Sequence, residues 1–338
     1  MKTPGIIRGI SLAIVLTSTL TAQYAELQPV PPVSFPAQTD SNSPAFWNDG
    51  ELVLFNSTGD GPIRSSGSDQ FNLGNSQPVV LGSSIHRPYW IESTSTDEDG
   101  TILAWYHHEP PGVCHAAGLT APEIGALMSK DGGKSFIDLG IVLESGYPAD
   151  CSSQNGYFAG GHGDFSVVLN QSRSYFYFLF SNYGGPPEEQ GVAVARLPFY
   201  RRYTPIGAVE KFYDGRWQEL GIGGRVTPIF RATVDWQRPD TDSFWGPSVH
   251  WNPYLGKYVM LINRSCCSPG WPQEGIYISY NSSLSNPAGW SVPEKILDGG
   301  WWYPQVLGRG AFETDSVSRR IARLYVNGIS SWRIVFHK

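Results

Sequence analysis

The chain is poor in charge, in sulfur and in helical periodicity. Only 16% of its 338 residues are Asp, Glu, Lys or Arg. No basic cluster or nucleic-acid module stands out, so the electrostatic footprint of a nucleic-acid partner is missing. The four cysteines lack paired C-x-x-C spacing, which argues against a structural zinc site. Beyond the N-terminus no run is long and apolar enough to cross a bilayer as a helix. After that same region no segment sustains a 3.6-residue apolar period. "APEIGALMSKDG" is helix-like for one turn, and its glycines oppose helix. Glycine and proline are plentiful (38 and 26) but not periodic, which excludes collagen.

What is present is aromatic. The 12 Trp, 17 Tyr and 16 Phe supply a large core and exclude disorder. The net charge of −6 favours solubility and names no partner. Residues 1–22 read as an export signal. Lys2 and Arg8 make a positive start, "GISLAIVLTSTLTA" is the apolar region, and cleavage falls near Ala22. A mature chain of residues 23–338, secreted or periplasmic and with no membrane segment after cleavage, is therefore expected. The even number of cysteines, at 114, 151, 266 and 267, suits an oxidising compartment. Sequons at Asn56, Asn170, Asn263 and Asn281 occur at about the chance level for a Ser-rich chain.

One unit recurs: a small or acidic residue, often with Pro, then an apolar strand, a turn, an aromatic strand, a loop and a third strand. It starts at Ser43 ("SPAFWNDGELVLFNS"), Arg87 ("RPYWIESTSTDEDGTILAWYHHE"), Gly163 ("GDFSVVLNQSRSYFYFLFSNY"), Gly246 ("GPSVHWNPYLGKYVMLINRS") and Tyr303 ("YPQVLG"). Third strands follow in "IGALMSKDGG", "GVAVARLPF" and "GIYISYNSS". The segments alternate or run apolar, with turn residues between them. This is an all-β chain. Such repetition predicts a single β-propeller domain of five blades, about 60 residues each, over residues 23–338. Six blades remain open if residues 25–40 complete another sheet.

The stretch "ALMSKDGGKSFIDLG" carries Ser129-x-Asp131-x-Gly133-x-Ser135-Phe136. It matches the Asp-box pattern S-x-D-x-G-x-T/S-W/F, a turn between outer strands of many propellers. Its side chains serve the turn itself: Asp and Ser bond turn backbone, Gly permits positive φ, and the aromatic packs inward. "SYNSSLSNPAGW", Ser279 to Trp290, resembles a degenerate copy. The Asp box raises a sialidase-like enzyme as one alternative. That chemistry needs three convergent arginines and a Tyr/Glu pair. Arg64, Arg87, Arg231, Arg264 and Arg323 are the candidates, and no sialidase local signature frames them.

A closer resemblance is to the five-bladed propeller superfamily of furanosidase-like glycoside hydrolases, families 32, 43, 62, 68 and 117. "YISYNSSLSNPAGWSVPEKIL" resembles their blade ending and "WGPSVHWNPYLGKYVMLIN" their blade opening. The resemblance implies acidic residues on successive inner strands facing a central funnel, two of them catalytic and a third tuning the acid. Asp40 in "TDSNSPAFW" resembles the blade-one Asp, with Pro44 four residues on. Asp164 in "GGHGDFSVV" begins the inner strand of blade three among glycines. Glu109 follows "WYHH", where aromatic surroundings suit a general acid. The general-acid Glu of that superfamily precedes Gly-Pro, and here Trp245 stands in its place.

His86, Arg87, His108, His162, Trp245, His250 and Trp302 are candidates for substrate contact, the aromatics by stacking on sugar rings. His107, His108, His115 and His162 lack metal-site spacing. No cofactor is expected, with a central calcium ion the one open exception. The expected function is hydrolysis of a poly- or oligosaccharide. A non-catalytic carbohydrate-binding propeller is the alternative that the missing Glu-Gly-Pro favours, and a lyase using Tyr and His is another. Cys114 and Cys151 sit on loops leaving one blade and Cys266 and Cys267 are adjacent, so these two pairings are expected, with a crossed pattern as the alternative.

Overall fold

In the computed structural model, Met1 and residues 23–338 are described, except 60, 116 and 117. The export segment expected over residues 1–22 lies outside them, save for Met1.

Five sheets, antiparallel but for a short parallel pairing of Val80–Leu81 with Ser135–Leu143 in blade II, form the blades of a β-propeller. The inner strands are Ala45–Asn48, Trp90–Thr96, His162–Leu169, Asp242–Asn252 and Pro304–Gly308. The second strands, Glu51–Thr58, Ile102–His108, Tyr175–Asn182, Lys257–Cys266 and Ile321–Val326, pair with them in hairpins. Blade V takes its third strand, Ile329–His337, from the C-terminus and its outer strand, Tyr24–Ser34, from the N-terminus. Tyr24 pairs with His337 and Ser34 with Ile329, so the two ends close the ring. Residues 24–34 therefore complete blade V, and the blade count is five.

The aromatic second strands are apolar on both faces because each blade is covered on both sides. In Glu51–Thr58, Val53 and Phe55 face blade II, while Leu52 and Leu54 face blade V. In Tyr175–Asn182, Phe176, Phe178 and Phe180 face blade II, and Tyr177 and Leu179 face blade IV. Truncating a buried Phe such as Phe178 would cost about 3–5 kcal/mol.

Inner strands of neighbouring blades form no shared ladder, so side chains bridge them. The Ile91 N–H donates to Ser57 Oγ at 2.9 Å, Val167 N–H to Ser93 Oγ at 2.8 Å, and Val249 N–H to Ser166 Oγ at 3.0 Å. Gln305 bonds both backbone groups of Ser43 and joins blade V to blade I.

The Ser129–Phe136 segment turns between the third and fourth strands of blade II, Glu123–Ser129 and Ser135–Leu143. Asp131 accepts from Ser129 Oγ, from the Lys134 and Ser135 N–H groups, and from Ser135 Oγ at 2.6 Å. Gly133 has φ of 78°, and a Cβ there would meet Phe55 Cζ at 2.7 Å. Phe136 is buried against Phe55. Both cysteine pairs are bridged, 114 to 151 and 266 to 267. Blade III carries an extra hairpin, Glu210–Tyr213 and Arg216–Leu220, which the repeat pattern does not predict.

Candidate active site

Three inner strands are interrupted where they reach the funnel. In blade II, Ile91 pairs with Tyr106 and Ser93 with Trp105, which leaves Glu92 unpaired. In blade III, Gly163 pairs with Ser181 and Phe165 with Phe180, which leaves Asp164 unpaired. In blade IV the register slips between Trp245 and Ser248. Such bulges re-aim side chains that simple alternation would send into the gaps between blades. Asp164 adopts φ of 41°, a left-handed conformation that Asp tolerates better than most residues. The glycines beside it make room for protein. A Cβ on Gly163 would meet His107 Cε1 at 2.6 Å, and one on Gly161 would meet the Pro122 backbone at 2.5 Å.

A cavity of about 450 Å³ opens over this point. Asp40, Glu109 and Asp164 all line it, from blades I, II and III. Trp90, Tyr157, Trp245, Trp271 and Trp302 add aromatic faces. No Lys or Arg is among its lining residues. One rim holds Cys114, whose bridge to Cys151 ties the loop that follows Glu109 to the loop preceding Tyr157.

Asp164 is fully buried and accepts hydrogen bonds from the Tyr183 hydroxyl and, at 3.1 Å, from the Tyr303 hydroxyl. Burial raises its pKa against the opposing effects of His107 and the two tyrosines. Beneath it His107 Nδ1 lies 3.2 Å from the Asp164 N–H, and against the effect of burial the carboxyl groups of Glu109, Glu92 and Asp164 raise the ring's pKa well above its ordinary value. His107 Nε2 lies 3.3 Å from Glu109 Oε1. Glu92 accepts the Phe165 N–H at 2.8 Å, and its other oxygen sits 3.2 Å from His107 Nδ1. Burial pushes Glu92 up to about 7, against the lowering effect of His107. Asp40 is partly buried. Its pKa is raised by that burial and then by the carboxylates of Asp164 and Glu109.

Trp245 and Trp302 line the cavity; His86, Arg87, His108, His162 and His250 do not. His86 bonds Asp138 at 2.7 Å on the outer part of blade II. Arg87 is exposed before the cis bond to Pro88. His108 follows His107 on one strand and so faces the opposite side. Burial, then His86 and His107, lower it to about 4. His162 packs against Phe180 inside blade III, the two rings tilted by 49°. His250 is five residues beyond Trp245, roughly 17 Å along the strand, and packs on Phe336.

The candidate arginines do not converge on the cavity. Arg64 donates to Gly132 O, Arg231 to Pro187 O, Arg264 to Asp242 and Arg323 to Ser330. As a metal site, Glu92, His107 and Asp164 lie within 4.8 Å of one another. They do not fit calcium, which takes 6–8 oxygen ligands. His107 Nδ1 and both Asp164 oxygens are also already engaged. Asp242 with Cys266 and Cys267 offers disulfide sulfurs instead of thiolates.

Glu92 and His107 are the site residues that the repeat pattern alone does not single out. The signal for Glu92 is an acid inside the otherwise uncharged strand "WIESTST".

No protein-family model and no curated protein sequence matches the chain. Solved structures do. The endo-arabinase of Bacteroides thetaiotaomicron VPI-5482 has a TM-score of 0.53 at 11% identity, over 91% of this chain and 96% of that one. A thermostable family-43 glycoside hydrolase gives 0.51 at 12% identity, over 90% and 91%. An exo-β-1,3-galactanase from Clostridium thermocellum gives 0.51 at 13% identity, over 90% of this chain and 62% of that one. At these identities the likeness is one of fold, and the chain has the five-bladed β-propeller fold that these glycoside hydrolases have.

Proposed function

We propose that the protein is an exported glycoside hydrolase that cleaves neutral poly- or oligosaccharides in its central cavity. One observation carries this reading. Carboxyl groups from three blades, Asp40, Glu109 and Asp164, share a single cavity with aromatic faces. Glycoside hydrolysis needs one carboxyl that gives a proton to the leaving oxygen and one ionised carboxyl that activates water or attacks the sugar carbon. Environments that separate two carboxyl groups assign these roles.

Asp40 is the proton donor, because burial and two neighbouring carboxylates favour its neutral form. Glu109 is the partner that activates water or attacks the sugar carbon, its Oε1 held against His107 Nε2 at 3.3 Å. This exchanges the role that the "WYHH" context suggests for Glu109. Asp164 stands beside the pair and contributes, after burial, to raising the pKa of Asp40. His107 is a positioning residue. Trp245, where the superfamily's general acid would stand, donates its indole N–H to Ser265 Oγ and leaves an aromatic wall.

The cavity lining offers an anionic glycan no lysine or arginine and one histidine, His115, against three carboxyl groups, which disfavours a bound carboxylate or sulfate. This separates the reading from a sialidase. Two disulfides support export to an oxidising compartment. Trp245 favours one second reading, a propeller that binds glycans without cleaving them.

The test is release of reducing ends from a panel of neutral arabinans and galactans beside uronic-acid and sialylated glycans. Cleavage confined to neutral members supports the reading. Cleavage of the anionic members contradicts it, and binding without cleavage supports the second reading.

A further inference from the structure

A second depression, of about 570 Å³, adjoins the main cavity. The two share Asp40 and Trp302 in their walls. Residues 34–40, which lead from the ring-closing strand to blade I, form one side. Trp301, Trp302 and the turn between the last two strands of blade V form the other.

Its lining has the composition that recognises sugar. Trp301 is 70% exposed, an unusual position for so large an apolar ring. Its backbone is nonetheless fixed. Asn263 Nδ2 donates to Trp301 O at 3.1 Å, and the Asn327 N–H donates to Trp302 O at 2.9 Å. The exposed amide of Gln38 lies on the facing side, and that of Asn327, also exposed, lies on the same side as Trp301. Asp40 is the one charged residue among those lining it. An exposed indole on an anchored backbone, beside neutral hydrogen-bonding groups, suits a ring that is apolar on its face and hydroxylated on its edge.

We infer that this depression is a second glycan subsite, continuous with the main cavity across Asp40, and that it binds the part of a neutral sugar chain lying beyond the bond to be cleaved. The inference rests on the hydrolase reading for its substrate class and adds where the chain runs. A glycan seated in both depressions passes over Asp40, with sugar residues on either side of the proposed proton donor. The continuity of the two cavities favours a glycan over a protein partner, since a chain entering the main cavity has this depression as its neighbour. Longer chains therefore gain contacts that short ones lack.

The experiment uses the full chain carrying Glu109→Gln, so that binding is read without turnover. Affinities for α-1,5-arabino- and β-1,3-galacto-oligosaccharides of two to six residues are measured by titration calorimetry, with and without Trp301→Ala. The expected result is a hexamer bound at least tenfold tighter than the dimer of the same series, and a ratio that collapses severalfold in Trp301→Ala. Trp301→Phe should keep most of it. An unchanged ratio in Trp301→Ala, no gain with chain length, or no binding of either series would overturn the inference. Failure of the hydrolase reading shows separately, as wild-type protein that binds these ladders without cutting them.

Discussion

His107 presents its Nε2 to Glu109 Oε1 at 3.3 Å, from a ring whose other nitrogen is held by the backbone N–H of Asp164. A buried ring thus links the carboxyl groups of blades II and III. A ring that fixes the Glu109 carboxyl positions it for the reaction without binding sugar itself. His107→Asn should therefore lower kcat about tenfold or more while leaving KM nearly unchanged. A folded variant with wild-type kcat would show that His107 only fills space.

The Ser129–Phe136 turn should matter for stability and not for turnover. Asp131→Ala removes the acceptor of four hydrogen bonds in that turn. Measured by urea unfolding, the cost should be about 1–2 kcal/mol. Activity at a permissive temperature should stay within twofold of wild type. Lost activity at unchanged stability would place the turn in the site.

His250 should make the protein acid-sensitive. Burial lowers it to about 3, whereas in the unfolded chain it titrates near 6.5. Between those values the unfolded state binds the extra proton, so stability falls as pH drops below about 6.5. His250→Leu removes this linkage. The variant's stability relative to wild type should rise by about 1.4 kcal/mol per pH unit from pH 6.5 down to pH 4. A difference that does not change with pH would mean that His250 is protonated in the fold.

The blades were legible because each second strand is covered on both faces and so reads as a continuous apolar run, as in "ELVLF" and "YFYFLF". The turn at Asp131 and both cysteine pairings were legible for a similar reason, since each depends on neighbours within one blade. The site was legible in part. Asp40, Glu109 and Asp164 are acids at strand starts and ends, where the repeat places the funnel. Glu92 was hidden because its direction depends on a bulge, and one extra residue in a strand reverses which side a side chain faces. The same uncertainty misled for His162 and His250, which look like funnel residues by strand position and turn into the packing between strands. The hairpin at Glu210–Leu220 breaks the repeat rhythm and left no periodic signal.

The account's central claim is that Asp40 and Glu109 divide proton donation and carboxylate chemistry in one cavity. A leaving group that departs unprotonated needs no acid. The decisive measurement is kcat/KM of wild type, Asp40→Asn and Glu109→Gln on a natural neutral oligosaccharide and on the dinitrophenyl glycoside of the same sugar. Asp40→Asn should lose at least a hundredfold on the oligosaccharide and recover most of it on the dinitrophenyl substrate, while Glu109→Gln should lose activity on both. Recovery in Glu109→Gln instead would exchange the two roles, and wild-type-like turnover in both folded variants would contradict the claim.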